Sequence, residues 1–206
     1  MDRSQPGTAK QARGARRAGS GPPPPLDAAR LEELALAYVA RFAASAGRLA
    51  AYCRRKLRER GHVGAEEGAA PPDVSALVER FVEAGYVDDA GFARARSDSL
   101  LRRGYGARRV GQALRADGIG EDLRAATAPQ AAARREAAAA YARRRRFGPY
   151  ARDTGSTPDP RQREKHLAAL LRAGHDAGDA RRVLAAASDD EVEAWIAEAR
   201  EEEGRL

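Results

Sequence analysis

The sequence contains very little cysteine and few aromatic residues. Among 206 residues there is one cysteine, Cys53, and aromatic residues make up 5%. A single cysteine cannot form an internal disulfide, and the sequence shows neither an apolar run of about 20 residues nor an N-terminal signal peptide. We therefore expect a reducing, cytoplasmic location without a membrane span. Cys53 lies four residues before Leu57 on a predicted helix, which favours a small core residue over a reactive thiol.

Residue patterns typical of catalysis, cofactor binding or metal binding are also missing. Gly104 and Gly106 are not followed by the Gly-Lys-Ser/Thr that completes a phosphate-binding loop. The three histidines are dispersed, without the spacing of a zinc site or a cysteine partner; they are His62, His166 and His175. No Ser-His-Asp or Cys-His set is recognisable. The sequence therefore predicts a protein that is not an enzyme and that holds neither a cofactor nor a metal.

Most of the apolar residues are alanine, leucine and valine. Hydrophobic residues make up 43% of the chain and charged residues 33%. Alanine loses no side-chain entropy on entering a helix, and arginine and glutamate lose little. No stretch shows the alternating pattern of a β-strand. The composition therefore predicts an all-α fold.

The net charge of +7 is unevenly distributed. Residues 1–25 carry five basic groups and one acid, residues 129–187 carry thirteen and six, and residues 188–206 carry two and eight. Basic blocks of this kind favour a polyanion or an acidic protein groove as partner. The first 25 residues have almost nothing large to bury and end in four prolines, so we expect a disordered basic arm with a polyproline spacer.

Three segments repeat a leucine that is followed four residues later by a glycine. They are RRKLRERG, GQALRADG and AALLRAGH, whose glycines Gly61, Gly118 and Gly174 are 57 and 56 residues apart. A leucine packing inward one turn before a left-handed glycine is typical of a helix C-terminus. Repetition with this period predicts tandem helical modules.

The repeats and the charge blocks divide the chain into five parts. Asp88 or Asp89 is expected to cap the first helix of the second repeat rather than to hold a metal. The C-terminal helix carries Trp195 and packs either on the third repeat or on another chain. The predicted parts are the arm (1–25), the first repeat (26–87), the second repeat (88–128), the third repeat (129–187) with an inserted loop near 148–160, and an acidic C-terminal helix (188–206).

Basic residues on helix surfaces are the remaining candidates for function. In GYGARRVGQALRADGI, Val110 and Leu114 fall on one face of a helical wheel and Arg108, Arg109 and Arg115 on the other. Arginine suits phosphate or carboxylate because its planar fork binds two oxygens. Aromatic residues near the basic runs are too scarce to favour base stacking. The candidate partner-binding residues are Arg54, Arg55, Lys56, Arg58, Arg102, Arg103, Arg108, Arg109, Arg115, Arg143, Arg144, Arg145 and Arg146.

The segment GYVDDAGFARARSDSLLRRGYGARRVGQALRADGI resembles the central repeat of the RecX family of regulatory proteins. That repeat reads, loosely, apolar-Asp-Asp, two residues, aromatic-Ala, then Arg-Gly-Tyr/Phe-Gly, two residues, an apolar residue, and Leu-Arg-x-Lys/Asp-Gly-Ile. The resemblance covers residues 31–187 and is strongest in the middle. The basic arm and the GHVGAEEGAAPP linker depart from the family pattern. The matching positions are Asp88, Asp89, Phe92, Ala93, Arg103, Gly104, Tyr105, Gly106, Arg109, Val110, Leu114, Arg115, Gly118 and Ile119.

The resemblance implies three tandem three-helix repeats in an elongated, curved molecule. It also implies a modulator of RecA recombinase, since family members lie in the helical groove of the RecA–DNA filament, block its growth and promote its disassembly. Strand exchange, ATP hydrolysis and coprotease activity fall as a result. For this chain the resemblance implies an inhibitor acting in DNA repair, recombination and the SOS response, with the RecA filament as first partner and DNA phosphate as second. We expect a monomer.

Two other hypotheses stay open on the residues alone. The first is a nonspecific architectural DNA-binding helical protein, whose affinity would fall by about 10³-fold or more between 50 and 200 mM salt if it made six or more phosphate contacts. The second is a helical scaffold for an acidic protein unrelated to recombination. The charge and repeat patterns by themselves do not separate these hypotheses from a filament modulator.

Overall fold

A computed structural model describes residues 23–151 and 159–205, and within these residues the regular secondary structure is helical, apart from one isolated β-bridge between Leu26 and His62. The prediction of an all-α fold is confirmed. Most of the predicted arm (1–25) and of the predicted loop near 148–160 lies outside the described residues. The helices are α1 (Ala28–Val39), α2 (Ala46–Arg60), α3 (Val74–Glu83), α4 (Asp89–Arg102), α5 (Ala107–Ala116), α6 (Glu121–Ala126), α7 (Ala131–Arg145), a 3₁₀ helix (Gly148–Tyr150), α8 (Pro160–Arg172), α9 (Ala177–Ala185) and α10 (Asp189–Glu203).

The first helical unit, α1 to α3, has a hydrophobic core of its own. Leu31 of α1, Leu49 and Cys53 of α2, and Leu77 and Phe81 of α3 are buried together. Burial of each large apolar side chain contributes about 1.5–3 kcal/mol. Desolvation raises the pKa of the Cys53 thiol to about 11. Cys53 is therefore a core residue, as its helical position predicts.

The second helical unit, α4 to α6, encloses a smaller core. Val110 and Leu114 are each 1% exposed, whereas Arg108, Arg109 and Arg115 are exposed. The two faces predicted for α5 are therefore confirmed. The buried residues of this core are Ala93, Leu100, Val110, Leu114 and Ile119.

In the part of the chain that the structure describes, the third helical unit consists of α7, α8 and α9, and α10 packs against them. Trp195 of α10 is buried in the same core as residues of α7, α8 and α9. Ion pairs reinforce this packing, since Arg143 of α7 pairs with Asp189 at 2.7 Å and Arg200 of α10 pairs with Glu136. The acidic C-terminal helix thus packs on the third repeat. Residues from α10 that join the core are Val192, Trp195 and Ile196.

Two adjacent aspartates serve two different helices. The Asp88 carboxylate accepts a hydrogen bond from the Gly91 backbone N–H at 2.9 Å and caps α4. The prediction of a helix cap is therefore confirmed. The Asp89 carboxylate accepts from the Ala46 backbone N–H at 2.7 Å, in the first turn of α2. A carboxylate at a helix N-terminus is favourable because of the helix dipole, so Asp89 also ties the second unit to the first.

The repeated leucine and glycine form the predicted helix ends. Gly118 and Gly174 have φ angles of +79° and +94°, a left-handed conformation that glycine adopts without a steric penalty. The residue after each glycine donates its backbone N–H to the carbonyl of the repeat leucine. Ile119 donates to Leu114 at 3.0 Å, and His175 donates to Leu170 at 3.1 Å. These hydrogen bonds satisfy carbonyls at the ends of α5 and α8.

Consecutive units meet through the second helix of each unit. Ser45, at the N-terminus of α2, donates its hydroxyl to the backbone carbonyl of Asp117 at the end of α5. Gly106, at the N-terminus of α5, donates its N–H to the carbonyl of Ala173 at the end of α8 at 3.0 Å. Each junction places the positive end of one helix dipole against the negative end of the next, which is favourable. The same arrangement of helix ends is thus used twice along the chain, with a side-chain hydroxyl as donor at the first junction and a backbone N–H at the second.

Candidate polyanion-binding groove

A groove lies where the second and third helical units meet, and we call it the junction groove. Its volume is about 380 Å³. It is formed where the start of α5 meets the ends of α7 and α8. Its lining is Tyr105, Arg109, Tyr141, Arg144, Arg145, Phe147, Ala169, Arg172 and Ala173. Four arginines and three aromatic rings therefore line one groove, and no acidic residue is among its described lining residues.

The positive charge of the junction groove is uncompensated within residues 23–151 and 159–205. None of its four arginines has a carboxylate oxygen within 4.0 Å among those residues. By contrast, Arg143 pairs with Asp189 at 2.7 Å and with Glu193 at 3.1 Å. These bonds raise the pKa of Arg143 and lower that of Asp189. A concave surface with unbalanced positive charge attracts anions.

Aromatic rings hold the guanidinium groups at the junction groove. Three of the four groove arginines, together with the neighbouring Arg103, have a guanidinium carbon 5.4–5.8 Å from the centre of a tyrosine ring. Arg144 also donates a hydrogen bond to the backbone carbonyl of Arg103 at 2.7 Å. Cation–π contacts orient the planar forks before a ligand arrives, and they occupy the rings on which bases would stack. The pairs are Arg103 and Arg109 with Tyr105, and Arg144 and Arg145 with Tyr141.

A buried histidine connects the two units next to the junction groove. His175 is 2% exposed, and its Nε2 lies 3.1 Å from the backbone carbonyl oxygen of Gly104. Its ring packs against Tyr141, with centroids 5.7 Å apart. Burial lowers the pKa of His175, which favours a neutral ring that donates its Nε2–H to Gly104. The arginines therefore supply the positive charge of the groove.

The basic residues predicted on α2 lie in the first helical unit and do not line the junction groove. Arg55 and Lys56 pair with Glu59 of the same helix at 3.5 and 2.6 Å. The hydrogen bond from Lys56 holds the pKa of Glu59 below its usual range. Arg54 and Arg58 are exposed. Part of the positive charge on α2 is thus balanced within that helix.

The remaining predicted arginines fall on different faces. Arg102 lines a separate depression together with Asp98 and Glu136. Arg146 ends α7 in the left-handed conformation, with φ of +58°. Arg108, Arg115 and Arg146 are exposed and do not line the groove. The predicted residues that the structure brings together are Arg103, Arg109, Arg144 and Arg145.

Sequence reasoning missed one arginine of the groove. Arg172 lines it but is absent from the predicted candidates. Arg172 lies two residues before the glycine in the third copy of the leucine-glycine pattern, whereas Arg58 and Arg115 lie three residues before the glycines of the other two copies. The available signal was that an arginine lies near the end of the helix in each of the three copies.

A buried acid at the junction of the first two units was also missed. Asp117 is 6% exposed, and its two carboxylate oxygens lie 3.0 Å from Nε of Arg48 and 3.1 Å from Nε of Arg96. Arg48 belongs to α2 and Arg96 to α4, so one carboxylate connects two units. A carboxylate at a helix C-terminus is repelled by the negative end of the helix dipole. Its occurrence there in the sequence indicates that a basic side chain compensates it.

The described residues contain no cluster of three or more histidine, cysteine or acidic side chains suited to a metal ion. None of the helices in residues 23–151 and 159–205 is long and apolar enough to span a membrane.

The junction groove offers fixed guanidinium donors for oxygen anions. The junction groove is therefore suited to binding an anion.

Comparisons with known proteins agree with this architecture. A family model described as RecX, second three-helix domain, matches residues 88–127. A regulatory protein RecX of Myxococcus xanthus (strain DK1622) is 32% identical over 158 residues, which span 75% of this chain and 83% of the relative. The crystal structure of a regulatory protein RecX matches with a TM-score of 0.55 at 20% identity, over 75% of this chain and 70% of that one. With its repeated helical units and this relative, the chain belongs to the RecX family of regulatory proteins.

Proposed function

We propose that this protein binds RecA recombinase and its nucleoprotein filaments and inhibits them. The inhibited steps are filament extension, ATP hydrolysis, strand exchange and coprotease activity, so the protein modulates DNA repair and recombination. Membership of the RecX family supports this proposal. We expect the protein to act by binding as a cytoplasmic monomer, without a catalytic step of its own.

The junction groove is the observation that carries the proposal. It presents four arginines without a carboxylate partner in the described residues, and tyrosine rings hold three of them. A nucleoprotein filament offers oxygen anions at regular intervals, as phosphates and as acidic side chains. Fixed guanidinium forks bind such groups in two-oxygen fashion. The groove therefore suits a filament better than it suits a small neutral ligand.

The direct test uses RecA filaments assembled beforehand on single-stranded DNA. The full-length protein is added over a range of concentrations, while ATP hydrolysis and filament length are followed together. We expect the ATPase rate and the filament length to fall in parallel as the protein is added. Filaments that keep their length and ATPase rate at saturating protein would refute the proposed function.

A nonspecific architectural DNA-binding protein is the second candidate. The occupied tyrosine faces favour it, because a groove that holds guanidinium groups without free rings binds phosphates regardless of sequence. The two candidates differ in their salt response. Phosphate-driven binding falls by about 10³-fold or more from 50 to 200 mM salt for six or more contacts, whereas binding to the filament should retain a salt-resistant part. Titrations of bare DNA and of filaments at both salt concentrations separate the two candidates.

A further inference from the structure

Large exposed hydrophobic side chains are confined to the first helical unit and the linkers that flank its helices. Within residues 23–151 and 159–205 these side chains are between 44% and 58% exposed. The described parts of the second and third units contribute none. Single exposed apolar residues are common on protein surfaces, whereas exposed apolar residues that lie together indicate an interaction surface. The residues are Leu36, Phe42, Val63, Val82 and Tyr86.

Two of these side chains line one groove between the first and second units, which we call the apolar groove. Phe42 is 56% exposed and Tyr86 is 58% exposed. The groove has a volume of about 450 Å³, which lies within the range of sites that take ligand-sized groups. Small and apolar residues supply much of the remaining lining: Val39, Ala43, Ala44, Gly85, Gly91, Phe92 and Ala95.

The charged residues of the apolar groove are already engaged inside the protein. Arg48 and Arg96 both hold the buried carboxylate of Asp117, at 3.0 and 3.1 Å. Asp88 accepts the Gly91 N–H at the start of α4. The groove therefore lacks the uncompensated charge that distinguishes the junction groove. A ligand that complements it is uncharged and apolar, and a nucleic acid strand does not meet this requirement.

The two exposed rings are held in place from below. The ring of Phe42 packs on Tyr38 and the ring of Tyr86 packs on the buried Phe81, each with centroids 5.5 Å apart. Aromatic residues fixed before binding contribute contact area at a low entropic cost. Rings of this kind act as anchors at protein interfaces.

We propose that the apolar groove binds a segment of a partner protein that places one or two large apolar side chains against Phe42 and Tyr86. This inference rests on the proposed function in one respect, since the partner protein is then the recombinase subunit of the filament. The protein thus makes two chemically different contacts. The first unit holds the protein component through apolar packing, and the junction groove holds oxygen anions.

The test compares the full-length wild type with Phe42→Ser/Tyr86→Ser. Val63→Ser is the matched control, because Val63 is 54% exposed and does not line the groove. Binding of each fluorescently labelled protein to RecA filaments and to bare single-stranded DNA is measured by anisotropy, alongside ATPase inhibition and thermal unfolding. We expect the double variant to bind filaments about tenfold or more weakly, as loss of interface anchors does. Its DNA affinity should equal that of the wild type, and its melting temperature should fall slightly because the contacts of the two rings with Tyr38 and Phe81 are lost. Val63→Ser should match the wild type throughout.

Several outcomes would overturn this inference. If the double variant binds filaments as strongly as the wild type, the apolar groove does not contact the filament. If the double variant loses as much affinity for bare DNA as for filaments, the groove binds nucleic acid instead. A wild-type dimer in sedimentation that the double variant abolishes would identify a second copy as the occupant. If the wild type binds filaments without inhibiting them, the proposed function fails. The inference about the apolar groove is then still supported by weaker filament binding of the double variant and refuted by unchanged binding. If the wild type does not bind filaments, both fail.

Discussion

Gly47 of α2 and Gly118 at the end of α5 are in direct backbone contact. A β-carbon at position 118 would lie 2.7 Å from the α-carbon of Gly47, and one at position 47 would lie 2.6 Å from the α-carbon of Gly118. Neither position can accept a side chain unless the two helices move apart. Gly118 therefore has two roles, since its φ of +79° ends α5 and its missing side chain allows the first two units to meet.

We expect Gly118→Val to destabilise the protein by more than the left-handed conformation alone would cost. A β-branched residue there has a backbone penalty of about 1–2 kcal/mol, and the clash with Gly47 adds to it. Thermal and urea unfolding measure the change. Gly111→Ala is the control, because a β-carbon at position 111 meets no atom within 4 Å and alanine is favoured in a helix by about 1 kcal/mol. An unchanged melting temperature for Gly118→Val would contradict both roles of this glycine.

The sequence predicts local features of this fold well, because they depend on residues close together in the chain. The leucine and glycine of the repeat predict the ends of α5 and α8, and the helical wheel predicts which side of α5 is buried. Asp88 is recognisable as a cap from its place before a helix. Each of these needs only neighbouring residues and the geometry of one helix.

The junction groove was only partly predictable, because it combines residues from α5, α7 and α8. Four consecutive arginines end α7 and are equivalent in the sequence. Successive residues of a helix point about 100° apart, so Arg143 reaches the acids of α10 while Arg144 and Arg145 face the groove. Whether a given arginine pairs with an acid or faces the groove depends on where α10 packs. The ion pair between Arg48 and Asp117 likewise joins residues that are 69 positions apart in the sequence.

Removal of the buried carboxylate should loosen the junction of the first two units. We expect Asp117→Ala to lower the free energy of unfolding by about 1–3 kcal/mol, since Arg48 and Arg96 lose a buried charged acceptor. Both arginines are partly exposed and regain water, which limits the cost. Asp98→Ala, at an exposed position of α4, should change stability by no more than about 0.5 kcal/mol. Urea denaturation of both variants checks this, and equal effects would show that Asp117 has no special role.

The stability of the protein should fall in mildly acidic solution because of His175. Burial lowers the folded-state pKa of this histidine below the ordinary value of about 6.5. Below that pH the unfolded chain takes up a proton before the folded chain does, so the contribution of His175 is present above about pH 6.5 and is lost as the pH falls toward the folded-state pKa. His166, whose pKa is also lowered by burial, adds to the same trend.

His175→Phe should flatten this dependence because phenylalanine keeps a ring beside Tyr141 and cannot be protonated. It should also lower stability at neutral pH through loss of the hydrogen bond to Gly104, by about 1 kcal/mol. His62→Gln is the control, since His62 shows no buried contact of this kind. Urea unfolding at a series of pH values between 5 and 8 gives the slopes. An identical slope in the wild type and in His175→Phe would exclude His175 as the source.

If the junction groove binds the filament, arginines inside the groove should contribute more to inhibition than the same number of arginines outside it. We expect Arg109→Ala/Arg145→Ala/Arg172→Ala to keep its stability within about 1 kcal/mol, because exposed charges contribute little to folding. Inhibition of the RecA filament should weaken by about tenfold or more, since a single contact to a charged acceptor contributes about 1.5–3 kcal/mol and 1.4 kcal/mol is tenfold.

The matched control for this groove variant removes three arginines that lie outside the groove, Arg102→Ala/Arg108→Ala/Arg115→Ala. Both variants lower the net charge from +7 by three, so long-range attraction to a polyanion changes by a similar amount in each. Half-inhibitory concentrations in the filament ATPase assay, measured at 50 and 200 mM salt, compare the two. If the groove binds the anion, the groove variant is much weaker than the wild type at both salt concentrations, whereas the control differs from the wild type mainly at 50 mM salt, because higher salt screens long-range attraction. Equal losses would show that the arginines act through total charge, and the groove would then have no specific role.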